Sequence, residues 1–273
     1  MKRVSVVEEA TPSRRKGLAS GPAWYHVLLS LLESDLRVRY GRGPLRVLKW
    51  LLDPFALVGV YLALVTFVLD RESFAPGLSI ACAVVPFQLV MSTVIAAMMS
   101  IQLRGSIILN MSFRRSLIPV STALTEAVAF AASLLLLAAL MAVYEIAPTW
   151  AMIWLPVVLA ANLLFSIALS YPASLFGVWF PELQVFAISV VRTMFFLGTG
   201  LVALAETSGR TYELLRLNPL TGLFESYRDV FLYGQAPAAW QLLYPVGVAI
   251  AVLAITVPVY RRDEQHFAKI IER

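Results

Sequence analysis

At 273 residues, with 59% hydrophobic and only 14% charged residues and a mean hydropathy of +0.77, the chain has too few polar side chains to cover a soluble globule. A net charge of +5 and a pI near 9.5 would suit a nucleic-acid binder if the protein were soluble, but in a membrane chain Lys and Arg first have to be assigned to cytoplasmic loops. The single cysteine, Cys82, excludes an internal disulfide. The opening residues carry Lys2, Arg3 and Lys16 without an apolar core between them, so no cleavable signal peptide is expected there.

Residues 1–50 read as a cytoplasmic tail ending in a surface helix. From Trp24 to Arg39, His26, Ser30, Glu33, Ser34 and Arg37 form one narrow polar stripe, and Trp24, Val27, Leu28, Leu31 and Leu32 cover the rest. This pattern predicts a helix lying in the membrane interface. Asp35 and Arg39, four residues apart, are spaced to pair with each other. The segment serves either as a plain membrane anchor or as a docking element. Gly41, Gly43 and Pro44 end it and turn the chain into the first span.

Six stretches approach the length of about 20 residues that a bilayer crossing needs. They are Leu51 to Leu69, Leu78 to Met99, Leu117 to Tyr144, Trp150 to Tyr171, Val185 to Ala205 and Gln241 to Tyr260. Between the fourth and fifth, Pro172 and Pro181 are expected to bracket a kinked extension or re-entrant turn. An even count places both termini on one side. Seventeen Lys and Arg residues fall on that side, among them Arg104, Arg114 and Arg115, against four opposite, Arg71, Arg210, Arg216 and Arg228. The termini are therefore expected in the cytoplasm, and the basic pI reflects topology rather than nucleic-acid binding.

Catalytic chemistry is not legible. No GxxxxGK[ST] loop is present, and the two histidines, His26 and His266, lie far apart and outside the spans. No metal site and no cofactor of the chain's own is indicated. Within the spans, Glu126 and Arg192 are the deep ionisable residues. At 1.5 Å per residue both sit about 12 to 15 Å from the cytoplasmic side. An ionisable group in hydrocarbon needs a partner or water, so either they share a polar cavity or each reaches toward the interface.

The block before the last span, LNPLTGLFESYRDVFLYG from Leu217 to Gly234, is too polar to span and too apolar for an ordinary loop. It is expected at the outer membrane face. Asn218 and Pro219 signal a helix start, and Leu220, Leu223, Phe224 and Tyr227 follow at helical spacing. Glu225, Arg228 and Asp229 can pair among themselves or with lipid head groups, and Gly234 with Pro237 ends the helix. Tyr61, Phe87, Trp179, Phe180, Phe195 and Phe196 are aromatic faces on which sugar rings could stack, although aromatic residues such as Trp150, Trp154, Trp179 and Trp240 also suit an interfacial belt.

Three blocks, in order, resemble ABC type-2 exporter permeases, especially those that export polysaccharides and teichoic acids. ESDLRVRYGRGPLRVLKWLLDPF is similar to the family's opening, with Asp35, Arg37, Arg39, Tyr40, Leu45, Trp50 and Pro54 in matching places. NMSFRRSLIPVSTALTEAV matches the stretch between the second and third spans at Asn110, Arg114 and Pro119, and LNPLTGLFESYRDVFLYGQAPAAW matches the signature before the last span. WFPELQ keeps only Glu182 and Leu183 of the family's inner-turn motif.

The resemblance implies an all-α integral membrane fold: six transmembrane helices over residues 51–260, an N-terminal amphipathic interface helix, short external re-entrant gate helices within about 206–240, and a cytoplasmic tail over 261–273. It implies a non-enzymatic transport subunit of the cytoplasmic (inner) membrane that works as a homodimer. Two copies of a separate cytoplasmic ATPase would bind ATP and Mg, and the cargo would be a lipid-linked O-antigen, galactan or teichoic acid. By the same resemblance, Asn110, Phe113, Arg114 and Arg115 couple to the ATPase; Asp35, Arg37, Arg39 and Tyr40 belong to the interface helix. Asn218, Pro219, Phe224, Tyr227 and Arg228 form the outer gate, and Tyr61, Glu126, Arg192, Phe195 and Phe196 are path candidates. Arg114 and Arg115 could equally serve only the charge bias. Export of a drug or small lipid, and an integral-membrane transferase, are the alternatives.

Overall fold

The computed structural model describes residues 24–40, 56, 58–60, 63, 75–105, 108, 113–264 and 267. Among them the regular elements are helical. They are α1 (Trp24–Tyr40), α2 (Pro76–Leu103), α3 (Leu117–Val143), α4 (Leu155–Trp179), α5 (Gln184–Phe196), α6 (Gly209–Arg216), α7 (Pro219–Arg228) and α8 (Ala239–Asp263). A 3-10 turn, Trp150–Trp154, leads into α4, and a π-helical turn, Asp229–Tyr233, prolongs α7.

Among the described residues, four segments are long and apolar enough to cross a membrane: Pro76–Leu103, Leu117–Val143, Trp150–Trp179 and Ala239–Asp263. They coincide with the expected second, third, fourth and sixth spans. The expected first span lies outside the described residues. The fifth differs from expectation. Its helix, α5, has 13 residues and stops at Phe196, a length of about 20 Å where the hydrocarbon layer is about 30 Å thick. The fourth continues through Pro172 to Trp179, so of the two expectations for Pro172 to Pro181 the structure has a helical extension and not a re-entrant turn. The direction changes instead at Phe180, followed by a 3-10 turn at Pro181–Leu183.

Lipid tails are as apolar as leucine, so helices in a bilayer associate through close packing and hydrogen bonds rather than through water exclusion. The α2–α4 crossing shows how this is done. A Cβ built on Gly177 would lie 2.0 Å from the Met98 carbonyl oxygen, so only glycine admits this approach. One turn away, the hydroxyls of Ser100 and Ser174 meet at 3.3 Å. Further out, Asn162 Nδ2 donates to the Tyr227 hydroxyl at 3.2 Å and to the Pro86 carbonyl at 3.5 Å, joining α4, α7 and α2. Residues 77–86 of α2 are buried without interruption, which makes α2 the centre of the bundle.

The two ends are tied separately. At one end, α1 lies against α3, and Asp35 accepts from Arg104 at the end of α2 and from Thr125 Oγ1 of α3 at 3.4 Å. There Arg115 donates to the Glu264 carbonyl, Tyr171 to the Ser116 carbonyl at 2.9 Å, and the Tyr260 ring packs on Tyr171 and Phe267. Helix α1, the loop after α2 and the C-terminal end of α8 thus share one end. At the other end, Gly77 N–H donates to the Tyr144 hydroxyl at 3.1 Å, and Gly234, in the left-handed region at φ 63°, sits against Thr149.

The close crossing has a direct test. Gly177→Ala should destabilise the purified protein by about 1–3 kcal/mol through overpacking against backbone. Gly247→Ala, where nothing lies within 4 Å of the added Cβ, should leave it unchanged. Thermal unfolding in detergent, followed by circular dichroism, measures both.

Candidate functional site

Residues 220–232, in the block before the last span, are all buried, so α7 is covered by the neighbouring helices. Its direction follows from its contacts. Phe224 packs on Phe87 of α2 at 6.4 Å between ring centroids, whereas Arg228 reaches Ser79, eight residues nearer the start of α2. Those eight residues rise about 12 Å, so α7 runs toward the N-terminal end of α2 as its sequence advances. Its start, at Asn218, lies beside α5 and α8. Here Asn218 Oδ1 accepts from Leu220 N–H at 3.0 Å, which is the predicted helix start, while its Nδ2 donates to the Met194 carbonyl of α5 at 2.7 Å. On the other flank, Tyr244 of α8 donates to the Leu217 carbonyl at 2.7 Å. With α6 preceding it, α7 completes a helical hairpin whose turn is wedged between α5 and α8.

The predicted apolar stripe of α7 faces the core, with Leu220, Leu223, Phe224 and Tyr227 each at most 4% exposed. Gly222 is fixed by close approach, since an added Cβ would lie 2.7 Å from the Gln241 carbonyl of α8. Asp229 follows in the π turn, and Gln235 Nε2 donates to it at 2.7 Å. Burial holds the Asp229 carboxyl above the ordinary range for an aspartate, while hydrogen bonds from Gln235 and Gln241 oppose that shift.

At the centre is a buried charge pair. The Arg228 side chain is 0% exposed, and its Nη1 donates to Glu225 Oε1 at 2.6 Å. Its Nη2 donates to the Thr199 carbonyl at 2.6 Å, and its Nε lies 3.2 Å from both the carbonyl and the hydroxyl of Ser79. The same Glu225 oxygen also accepts from Leu204 N–H at 3.0 Å. Guanidinium and carboxylate therefore satisfy each other and the backbone of the irregular stretch between α5 and α6. Of the two sequence expectations for these charges, mutual pairing holds within the described residues.

Several expected residues fall elsewhere. Phe195 is 1% exposed, packed on Phe87 and Phe224 at 4.9 and 5.8 Å, whereas its neighbour Phe196 is 49% exposed. Glu126 is buried in α3, but Arg192 is on an exposed face of α5, because Ala187, Ile188 and Val191 are the residues that pack on α2 and α4. The structure does not bring these two into one cavity. Asp35 pairs with Arg104 and Arg37 with Glu33, while the side chain of Arg39, the expected partner of Asp35, lies outside the described residues. Among the loop candidates, Arg114 is exposed, Phe113 and Arg115 are half-buried, and Asn110 lies outside the described residues, as does Tyr61. For Arg39 and Tyr40 only the helical backbone is described.

Reading the sequence missed Thr199, Leu204 and Ser79 as partners of the hairpin, since they act mainly through backbone groups, which leave no pattern. It counted Arg104 only as a charge. The i,i+3 spacing of Glu225 and Arg228 was the available signal.

No protein-family model matches the chain. An O-antigen export system permease protein of Myxococcus xanthus is 26% identical over 249 residues, covering 90% of this chain and 95% of that protein. Two permease proteins of the same description from Klebsiella pneumoniae are each 22% identical over the same shares. This chain is a relative of the O-antigen export permeases. The likeness runs nearly end to end, so it takes in the basic end and the buried hairpin of this permease relative alike.

Removing one partner of the buried pair should leave a charge without compensation. Arg228→Met alone is expected to destabilise by about 3–5 kcal/mol, and Arg228→Met with Glu225→Gln to recover part of that loss. A thermal-stability cycle over the wild type, both single variants and the double variant measures the coupling.

Proposed function

We propose that this chain is the membrane-embedded permease subunit of an ABC exporter that moves a lipid-linked polysaccharide of O-antigen type across the cytoplasmic membrane. The observation that carries this reading is the similarity to O-antigen export permeases over 90% of the chain. The hairpin of α6 and α7 is in keeping with it, with α7 buried among the helices and α6 exposed beside it. Two copies of the chain enclose the path, and two copies of a separate ATPase subunit supply the energy. The Lys and Arg distribution argues for cytoplasmic termini.

On this reading the end that gathers α1, Arg104 and Phe113–Ser116 is the ATPase-facing end. ATP binding in the partner moves the loop, and Asp35 relays that movement to α1 because it is held by Arg104. The opposite end carries the outer gate. There α7 is anchored by Arg228, so α6, none of whose residues is buried, is the element free to shift. Gly209, in the left-handed region at φ 59°, is its pivot. Arg216 holds α6 in place by stacking on Trp240 at 4.5 Å.

Deleting the gene should abolish the corresponding surface polysaccharide and leave its lipid-linked precursor inside the cell. A copy of the gene should restore export. Unchanged surface polysaccharide, with accumulation of a drug or small lipid instead, would favour the alternative cargo. Asp35→Ala should lower export several-fold at an unchanged amount of membrane protein, which quantitative staining of surface polysaccharide against an immunoblot would register.

A further inference from the structure

Arg192 lies outside both the core and the hairpin, on the exposed face of α5. Its height in the bundle is set by its neighbours. Val191 packs against the cluster of Val94, Ala97 and Met98, and Phe195 packs on Phe87 at 4.9 Å between ring centroids. Phe87 and Val94 flank the middle of the 28-residue α2, so Arg192 stands near the middle of the span and not at either end. About 15 Å of hydrocarbon separates that level from each membrane surface, more than an arginine side chain crosses by snorkelling. A guanidinium turned to lipid tails there is strongly unfavourable, and the partial negative charge at the C-terminal end of α5 offsets only a small part of that cost. This face is therefore turned to a polar surrounding.

The rest of the face narrows what that surrounding holds. Ser189 and Thr193 are exposed beside Arg192, but their hydroxyls donate to the Val185 and Ser189 carbonyls at 2.9 Å each. Their protons are committed to the helix, which leaves the guanidinium as the donor that a ligand meets. Around it Val185, Phe186 and Val190 are 75%, 67% and 43% exposed. A planar fork of donors suits an anion with two adjacent oxygens, and the apolar side chains next to it suit hydrocarbon. A neutral sugar has no charge to match the cation, and a free anion has nothing to match the apolar border. A phosphate borne on a lipid matches both.

We propose that Arg192 binds a phosphate group on the lipid carrier of the exported glycan as that group passes the middle of the membrane. This rests on the polysaccharide-export reading and deepens it, since it assigns a residue to the lipid end of the cargo.

Two measurements on the full chain test the site. Cys82, the chain's single cysteine, is buried and does not compete for a water-soluble thiol reagent. In membranes from the producing cells, a membrane-impermeant methanethiosulfonate should modify Arg192→Cys and spare Ile250→Cys, an exposed position near the middle of α8. No modification at 192, or equal modification at both positions, would overturn the proposal. Binding is then read by native mass spectrometry of the purified protein, with geranylgeranyl diphosphate as the probe and geranylgeraniol, phosphatidylglycerol and inorganic diphosphate as comparisons. The probe should bind at least about tenfold more tightly than each comparison; Arg192→Gln should abolish its advantage over geranylgeraniol, and Arg192→Lys should keep part of it. Equal binding of geranylgeraniol would mean an apolar contact only, equal binding of phosphatidylglycerol a general head-group contact, and equal binding of inorganic diphosphate a free-anion site. Each of these, or an unchanged preference in Arg192→Gln, would overturn the proposal and leave the export reading standing. Surface polysaccharide that is unchanged when the gene is deleted would overturn both.

Discussion

The pairing of Arg228 with Glu225 is the interaction on which the half of this bundle around α6 and α7 depends. α5 ends after 13 residues, and the chain then runs through Thr199 to Leu204 without regular helix before α6 begins. Unpaired backbone groups at that depth would each cost several kcal/mol in hydrocarbon. Arg228 and Glu225 take the place that water would have in a soluble loop, one donating to the Thr199 carbonyl and the other accepting from Leu204 N–H. Because the same guanidinium also grips Ser79 of α2, the irregular stretch, the hairpin and the central helix are positioned by one group.

The rest of the architecture follows from packing without a hydrophobic driving force. Small residues bring α2 and α4 together at Gly177 and Ser174, and Gly222 lets α7 approach the first turns of α8. These contacts leave broad exposed apolar faces on α5 and α8, such as Val185 and Phe186 on α5 and Leu243 and Ile255 on α8, with Trp24 and Leu29 exposed on α1. Those faces meet lipid or, in the proposed dimer, a second copy.

Hydropathy and charge made four of the spans legible, three of them to within a few residues at each end and the fourth short of its C-terminal end at Trp179, because a span is a property of composition summed over about 20 positions. Helix-start chemistry at Asn218 and Pro219 was legible for the same reason that caps generally are: the side chain acts on its own neighbours. What could not be read was tertiary. The length of α5 escaped because Leu197 to Ala205 is as apolar as a helix would be, and only the contacts of Thr199 and Leu204 reveal that it is not one. The buried position of Arg228 escaped because an arginine outside the spans reads as a surface residue until its acceptors, three of them backbone or hydroxyl oxygens, are in place. Glu126 and Arg192 share a depth along the sequence, but depth carries no information about which face of a helix is turned inward.

The knot at the basic end has a mechanical consequence. Arg115 holds the Glu264 carbonyl, Tyr171 holds Ser116, and Tyr260 bridges to Tyr171 and Phe267. A load applied to residues 113–116 is therefore shared at once by the start of α3, the inner half of α4 and the end of α8, and no one helix acts as a lever. Such a joint transmits displacement as a movement of the whole bundle, and it would yield to a local push only where its hydrogen bonds break together.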